Sequence, residues 1–111
     1  MPRTTAVGEF EQLVLLGVLQ LADKAYALGL RSELESTTGR SISRGALYRT
    51  LDRLEQKGFI SWELETEIPK RGGHPRRRFQ VTDAGVRALR STRRTLLRMW
   101  SGLEKTLDEP A

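Results

Sequence analysis

The hydrophobic period of the chain changes abruptly at Gly58. Before this glycine, Leu47, Leu51 and Leu54 recur at the spacing of a helix. After it, apolar and polar residues alternate between positions 60 and 68, which is the pattern of a half-buried strand. A helix with one apolar face therefore leads directly into a strand, and this transition constrains the fold more than any other feature of the sequence.

Two helices are predicted ahead of that point. The first is expected to begin after Gly8, because Glu9 and Glu11 would then lie in its positive first turn. Its residues expected to face the core are Phe10, Leu13, Val14, Leu16 and Leu21. The second helix is expected to end at Gly39, because glycine takes a left-handed cap without strain.

Capping residues mark the start of the third helix, the one that precedes Gly58, and of a last helix after the strands. Ser43 can cap the third helix, with Ile42 and Leu47 packed across the cap, and Gly58 is expected to end it. Thr82 can cap a last helix, whose seam of apolar residues indicates a length of roughly 25 residues.

A second strand is expected at residues 76–81, where Phe79 and Val81 share one face. A turn between Gly72 and Gly73 would complete a hairpin. That turn would place Glu67 opposite Arg78, and the two would form a surface ion pair.

The predicted order of elements is helix, helix, helix, hairpin and long helix. This is a winged helix-turn-helix, a mainly α fold with a β-hairpin. Residues 1–82 are expected to form the winged helix-turn-helix DNA-binding domain, and residues 83–111 a C-terminal dimerisation helix and tail. Since a chain of 111 residues buries a modest core, dimerisation is an expected source of stability.

Basic residues are concentrated toward the end of the chain. Residues 1–69 carry 8 basic and 10 acidic side chains, whereas residues 70–111 carry 11 and 4. A localised basic surface indicates nucleic acid first, then an anionic membrane or an acidic partner.

Several classes of function are disfavoured by composition. The chain has no cysteine and a single histidine, His74, so we expect neither a disulfide nor a metal site, and no cofactor. No set of residues resembles a catalytic constellation, which argues against an enzyme. The longest apolar stretch, residues 13–21, is far shorter than the roughly 20 apolar residues that a membrane span needs, and residues 1–8 lack the pattern of a signal peptide. A cytoplasmic protein is expected.

The outer face of the third helix is polar and largely basic. Its N-terminal half suits the major groove, because arginine can pair bidentately with guanine and helix N-termini suit phosphate. The residues predicted to contact DNA are Ser43, Arg44, Tyr48, Arg49 and Arg53. The alternative is an ordinary solvated face, in which Arg49 or Arg53 pairs with a nearby acid such as Asp52 or Glu55.

The hairpin tip carries the second group of predicted DNA contacts. Its cations can reach the backbone or the minor groove, and two glycines permit close approach. These predicted contacts are Lys70, Arg71, Gly72, Gly73, Arg76 and Arg77. The alternative is a solvated loop.

Three segments resemble the PadR-like transcriptional regulators, specifically the short members with a single C-terminal helix. They are Gly-Glu-Phe-Glu-Gln-Leu-Val-Leu-Leu at residues 8–16, Ser-x-Gly-Ala-Leu-Tyr through Lys-Gly-Phe-Ile at residues 43–60, and Arg-Gly-Gly at residues 71–73 followed by Phe-x-Val-Thr-x-x-Gly at residues 79–85. One departure is Ala27, where the family usually has glycine. The resemblance implies a dimeric repressor, often relieved by a small molecule.

The last helix carries a seam with the alternating spacing of a two-stranded coiled coil. The predicted dimer interface consists of Val86, Leu89, Arg93, Leu96, Trp100, Leu103 and Leu107. Arg93 could fix the register or pair with an acid such as Glu9 or Glu11. The alternative is that the helix folds back on the first helix of its own chain. Trp100 could stack on a small aromatic effector, although core packing explains it too.

The main hypothesis is a sequence-specific, homodimeric transcriptional repressor that binds double-stranded DNA with a two-fold operator. The alternative is a winged-helix protein-interaction module that does not bind DNA and pairs with an acidic protein. The basic outer face of the third helix favours the first.

Overall fold

The computed structural model describes residues 7–65 and 75–108. Three α-helices, two strands and two further α-helices follow in that order, and a short 3-10 helix at Ala22–Lys24 lies between the first two. Their bounds are α1 Glu9–Leu21, α2 Ala27–Thr38, α3 Arg44–Gln56, β1 Ile60–Glu65, β2 Arg76–Val81, α4 Asp83–Trp100 and α5 Glu104–Asp108. This mostly helical chain with a two-stranded antiparallel hairpin has the winged helix fold, as predicted. No helix in the described residues is long and apolar enough to cross a membrane.

The core forms where α1, α2 and α3 meet the hairpin. On α3 the buried leucines are those that the helical spacing predicts, Leu47, Leu51 and Leu54, and α2 buries Leu30 and Leu34 against them. On α1 the prediction was partly wrong. Val14, Leu15 and Val18 are buried, whereas Leu16 is 41% exposed. Because apolar side chains surround α1, its sequence does not by itself select the buried face.

The predicted caps are confirmed. The backbone N–H of Ala46 donates to Ser43 Oγ at 3.1 Å, and that of Gly85 donates to Thr82 Oγ1 at 3.0 Å. Gly39 ends α2 with a φ of 74°, the left-handed conformation that glycine adopts most easily.

Side chains of α2 hold the turn that joins it to α3. Arg31 Nε donates to the carbonyl oxygen of Ile42 at 2.7 Å, and the Ile42 N–H donates to Glu35 Oε2 at 2.8 Å. Both bonds reach the residue immediately before the cap of α3, so they fix where α3 starts relative to α2.

The hairpin register differs from the predicted one. Glu63, not Glu67, lies opposite Arg78, and Trp62 lies opposite Phe79. The two registers are four residues apart on β1, and an even shift keeps every side chain on the same face. The alternation of apolar residues therefore predicts which side chains share a face of the hairpin, but it does not determine which residues of the two strands lie opposite each other.

The segment before α2, Ala25 and Tyr26, attaches the hairpin to the helices. The N–H of Phe79 donates to the carbonyl oxygen of Ala25 at 2.8 Å, and Tyr26 forms an isolated antiparallel bridge with Arg78. The start of α2 is thereby joined to β2.

The C-terminal segment is not one long helix. α4 ends at Trp100, Gly102 takes a φ of 86°, and α5 begins at Glu104. The predicted seam therefore spans two helices, because a left-handed residue interrupts it.

Candidate nucleic-acid interface

The N-terminal half of α3 presents two arginines that pair with no acidic side chain in the described residues. Arg44 and Arg49 are exposed, and in the described residues neither forms a hydrogen bond or an ion pair with another side chain. Tyr48 is half-buried between them, and the Arg44 guanidinium lies 6.0 Å from its ring centroid. We call Ser43, Arg44, Tyr48 and Arg49 the reading face. It combines two exposed cations, an aromatic ring and a hydroxyl at the start of a helix.

Gly45 leaves room for one of these arginines. A Cβ atom at Gly45 would lie 3.1 Å from Arg49 Nη1, so the guanidinium of Arg49 folds back over the first turn of α3. A side chain at position 45 would therefore compete with Arg49 for this space.

Arg53 is engaged within the chain, unlike the other predicted contacts on α3. Its Nε donates to Glu11 Oε2 at 3.0 Å, and its Nη2 donates to Thr50 Oγ1 at 3.3 Å. Neither Asp52 nor Glu55, the acids considered for such a pair, is the partner. The acid comes from α1, because α1 packs along α3 and turns Glu11 toward it.

Glu11 is a buried carboxylate with three donors. Lys57 Nζ and the Gly8 N–H each approach Oε1 at 2.9 Å, and Arg53 occupies the other oxygen. Burial raises the pKa of Glu11, but the hydrogen bonds from Lys57, Gly8 and Arg53 outweigh burial and hold this pKa below its ordinary value of 4.5.

The lowered pKa of Glu11 makes part of the stability acid-sensitive. A carboxylate with a depressed folded-state pKa stabilises fully above its unfolded-state pKa, here near 4.5, and loses this contribution as pH falls through the folded-state value. Thermal midpoints of the wild type and Glu11→Gln should therefore differ most near neutral pH and converge in acid. A gap between the midpoints that stays constant with pH would contradict this.

The three arginines at the start of β2 have different surroundings. The Arg76 guanidinium lies 3.8 Å from the centroid of the Tyr26 ring. That of Arg77 lies 5.0 Å from the centroid of Trp62 and 5.3 Å from that of Phe79. Stacking on rings fixes a guanidinium while leaving its edge able to donate. Arg77 also lies 6.0 Å from the centroid of the Tyr48 ring, so it is held beside the reading face, whereas Arg76 is held against Tyr26.

Arg78 forms the ion pair that was expected of it, with different partners. Its Nε donates to Glu65 Oε2 at 2.8 Å and its Nη2 to Glu63 Oε1 at 3.0 Å. The Tyr26 hydroxyl also donates to Glu65, which raises the pKa of Tyr26 and lowers the pKa of Glu65. This network joins α2 to both strands of the wing.

The other predicted wing contacts lie outside the described residues. These are Lys70, Arg71, Gly72 and Gly73, and the single histidine His74 falls in the same segment. Among the residues that are described, no group of three or more His, Cys, Asp or Glu side chains could hold a metal ion.

The predicted dimer residues fall into a buried and an exposed part. Leu89 is buried and Val86 half-buried against the body of the domain. The remaining ones are exposed: Arg93, Leu96, Trp100, Leu103 and Leu107. Within the single chain, the two acids suggested as partners of Arg93 bind other cations: Glu9 binds Arg40, and Glu11 binds Arg53 and Lys57.

Sequence reasoning missed the role of Glu11 and of Tyr26. Glu11 could have been found, because it shares the helical spacing of Val14, Leu15 and Val18 and so occupies an otherwise apolar face. No signal in the sequence identifies Tyr26, since its contacts with Arg76 and Glu65 depend on where the hairpin folds.

Comparison with known proteins assigns the fold to a family. Residues 15–91 match the model of the transcriptional regulator PadR-like family. No curated protein matches the chain. Among solved structures, a PadR family transcriptional regulator from Eggerthella lenta is 29% identical, with a TM-score of 0.67 over 92% of this chain and 88% of that one.

Two further structures are similar. H. salinarum RosR is 25% identical, with a TM-score of 0.65 over 86% of this chain and 79% of that one. A PadR-like transcriptional regulator from Bacillus cereus has a TM-score of 0.72 over 91% of this chain and 93% of that one, and at 20% identity it shows the fold alone. The family match covers more than half of the sequence, and the chain belongs to the PadR-like family of transcriptional regulators.

Proposed function

We propose that the chain is a sequence-specific repressor that reads a two-fold operator through α3 and contacts the flanking backbone through the wing. Family membership supports DNA-binding regulation rather than enzymatic activity. The observation that carries the proposal is the reading face. Arg44 and Arg49 are exposed there at the start of a helix, and neither forms an ion pair with a carboxylate in the described residues. Arginines in this position suit guanine and phosphate.

The wing contributes the second half of the proposed contact. Arg77 is held by aromatic rings next to the reading face and Arg76 by the ring of Tyr26, and Lys70 to Gly73 are the proposed tip contacts. Arg78 is left out of the proposal because two carboxylates neutralise it.

Selection of binding sites from random duplexes tests the proposal. A dimer with two reading faces should enrich a palindrome whose half-sites lie about 10–10.5 base pairs apart, or a multiple of that spacing. Enrichment of an unpaired motif would contradict the two-fold operator. Transcription from a promoter carrying the selected site, with and without the protein, then distinguishes repression from activation.

Pairing through the C-terminal helices is the second part of the proposal. Residues 1–82 would bind DNA, and residues 83–111 would join two copies. Leu96, Leu97, Met99, Trp100, Leu103 and Leu107 are all large exposed apolar side chains of this region. Such a concentration at one end of a small protein marks a surface that another molecule covers. Leu16 and Leu19 of α1 are exposed as well and offer a complementary apolar surface.

Light scattering tests the dimer. We expect a mass of twice the 12.6 kDa of one chain, and a monomer for Leu96→Glu, because a charge buried in an apolar interface costs several kcal/mol. Leu28→Glu is the control, since it places the same charge at another exposed leucine, on α2 instead of α4. A wild-type monomer at micromolar concentration would contradict the dimer.

Trp100 is the proposed contact for a small aromatic effector. Trp100 is 53% exposed in the single chain and lies among the side chains that the dimer would cover. A planar molecule that stacks there should quench its fluorescence in a Trp62→Phe background and weaken operator binding. Quenching that survives Trp100→Phe instead would assign the signal to Trp62.

The protein-interaction module remains the competing function. It predicts an acidic protein partner and no binding to DNA. Failure of the wild type to bind any duplex at low salt would favour it.

A further inference from the structure

Glu11 divides the cations of α3 into two groups. Arg44 and Arg49 of the reading face form no ion pair with a carboxylate in the described residues. Arg53 and Lys57 lie one and two turns beyond Arg49, and both bind the Glu11 carboxylate. Distances of 3.0 Å and 2.9 Å make these direct charge-assisted hydrogen bonds.

The carboxylate is an unusual occupant of its position. Its side chain is 7% exposed and lies on the face of α1 that otherwise carries Val14, Leu15 and Val18. An apolar residue there would pack against the core without the desolvation cost of a charge, and a buried ion pair is seldom the most stabilising solution. Stability alone is therefore a weak reason for this residue.

The direction of Arg53 points to another reason. Two of its nitrogens are engaged, one by Glu11 and one by the buried Thr50 hydroxyl, so the guanidinium is turned toward α1 although the side chain as a whole is 52% exposed. An arginine one turn beyond Arg49 would otherwise extend along the same side of α3 toward a bound duplex.

We propose that Glu11 is a positioning residue for DNA recognition, which withholds Arg53 and Lys57 from the phosphate backbone and confines contact to the N-terminal half of α3. This inference rests on the proposed DNA-binding function. Phosphate contacts add affinity for every sequence, whereas base contacts discriminate between sequences. By removing two cations from the phosphate-binding set, Glu11 lowers affinity for random DNA and raises the ratio of specific to non-specific binding.

The salt dependence of binding tests this role, and a purely structural role would not change it. The logarithm of the binding constant falls with the logarithm of salt concentration, with a slope of about −0.9 per phosphate contact. For Glu11→Gln on the selected operator, we expect a slope steeper by roughly 1, as the Arg53 guanidinium becomes available to phosphate. Affinity for a random duplex should rise more than affinity for the operator.

Two controls separate this effect from a change in net charge or in folding. Glu33→Gln adds the same charge, and the Glu33 carboxylate accepts only a hydrogen bond from Thr37 in the described residues, so its slope should match the wild type. Glu11→Gln/Arg53→Ala should return part of the added slope. Thermal unfolding of each variant establishes that it is folded at the temperature of the binding assay.

Two single variants test the proposal even if Glu11→Gln does not fold. They are Arg53→Ala and Lys57→Ala, each in the wild-type background. Unchanged salt slopes for both support the proposal, whereas a shallower slope for either overturns it, because the cation then already contacts phosphate. An unchanged slope for a folded Glu11→Gln overturns it as well. A wild type that prefers no duplex would instead contradict the proposed function itself.

Discussion

Replacing both Arg44 and Arg49 by alanine is expected to remove most of the discrimination between the operator and random DNA. Each arginine that pairs bidentately with a base contributes about 1 to 3 kcal/mol of discrimination, so the double variant should lose about 2 kcal/mol or more. That loss corresponds to roughly a 30-fold smaller ratio of the two affinities. Titration of labelled operator and scrambled duplexes measures both affinities.

A matched variant controls for the loss of two positive charges. Arg94 and Arg98 are exposed on α4 and are separated by four residues, so Arg94→Ala/Arg98→Ala removes the same charge from a different element. It should lower affinity for both duplexes by a similar factor and leave their ratio unchanged. Equal ratios in the two double variants would show that the reading face carries no sequence information.

Replacing Gly85 by alanine is expected to destabilise the fold by about 1 to 3 kcal/mol, the usual cost of overpacking a close contact. A Cβ atom at Gly85 would lie 2.3 Å from the Phe59 carbonyl oxygen and 2.7 Å from Val81 Cγ1. The oxygen belongs to backbone and accepts the N–H of Thr82 at 3.0 Å, so it cannot move aside without disturbing the cap of α4. Chemical denaturation measures the loss.

Gly29→Ala is the control for this substitution, and its expected effect has the opposite sign. Gly29 is exposed within α2, and the nearest atom to an added Cβ is the Lys24 carbonyl oxygen at 3.9 Å, an ordinary contact. Alanine is favoured over glycine inside a helix by about 1 kcal/mol, so this variant should be more stable than the wild type. If both variants shift stability in the same direction, the close contact at Gly85 is not the cause.

The features that sequence predicted well depend on local interactions. Ser43 and Thr82 cap their helices through hydroxyls that reach an N–H three residues away, and Gly39 ends α2 through its own φ. Each of these devices involves a few consecutive residues, so a residue pattern suffices to identify it. The order of elements, and with it the winged helix, follows from such signals.

The features that sequence missed depend on contacts between distant segments. The pairing of Glu11 with Arg53 joins residues 42 positions apart, and the register of the hairpin joins Glu63 to Arg78 across the wing tip. Alternation of apolar residues cannot separate registers that differ by an even number, and the turn assumed between Gly72 and Gly73 placed Glu67 opposite Arg78. The candidate site was therefore predicted residue by residue on α3, whereas the pairs that engage Arg53 and Arg78 were not.

The C-terminal seam shows a limit of pattern reading. Its spacing continues through Leu103 and Leu107, yet Gly102 ends the helix before them with a left-handed conformation. A regular apolar spacing can continue past the end of a helix, because a glycine in the left-handed conformation ends the helix without changing the spacing. The proposed dimer consequently relies on α4 and on the exposed side chains around Trp100 rather than on one continuous helix.

Binding of the wild type to the selected operator and to a scrambled duplex, measured at several salt concentrations, tests the central claim most directly. Reading by α3 predicts that the operator binds more tightly at every salt concentration and that the ratio of the affinities persists as phosphate contacts are screened. Equal affinities that fall together as salt rises would contradict the claim, because the basic surface would then attract DNA without reading it.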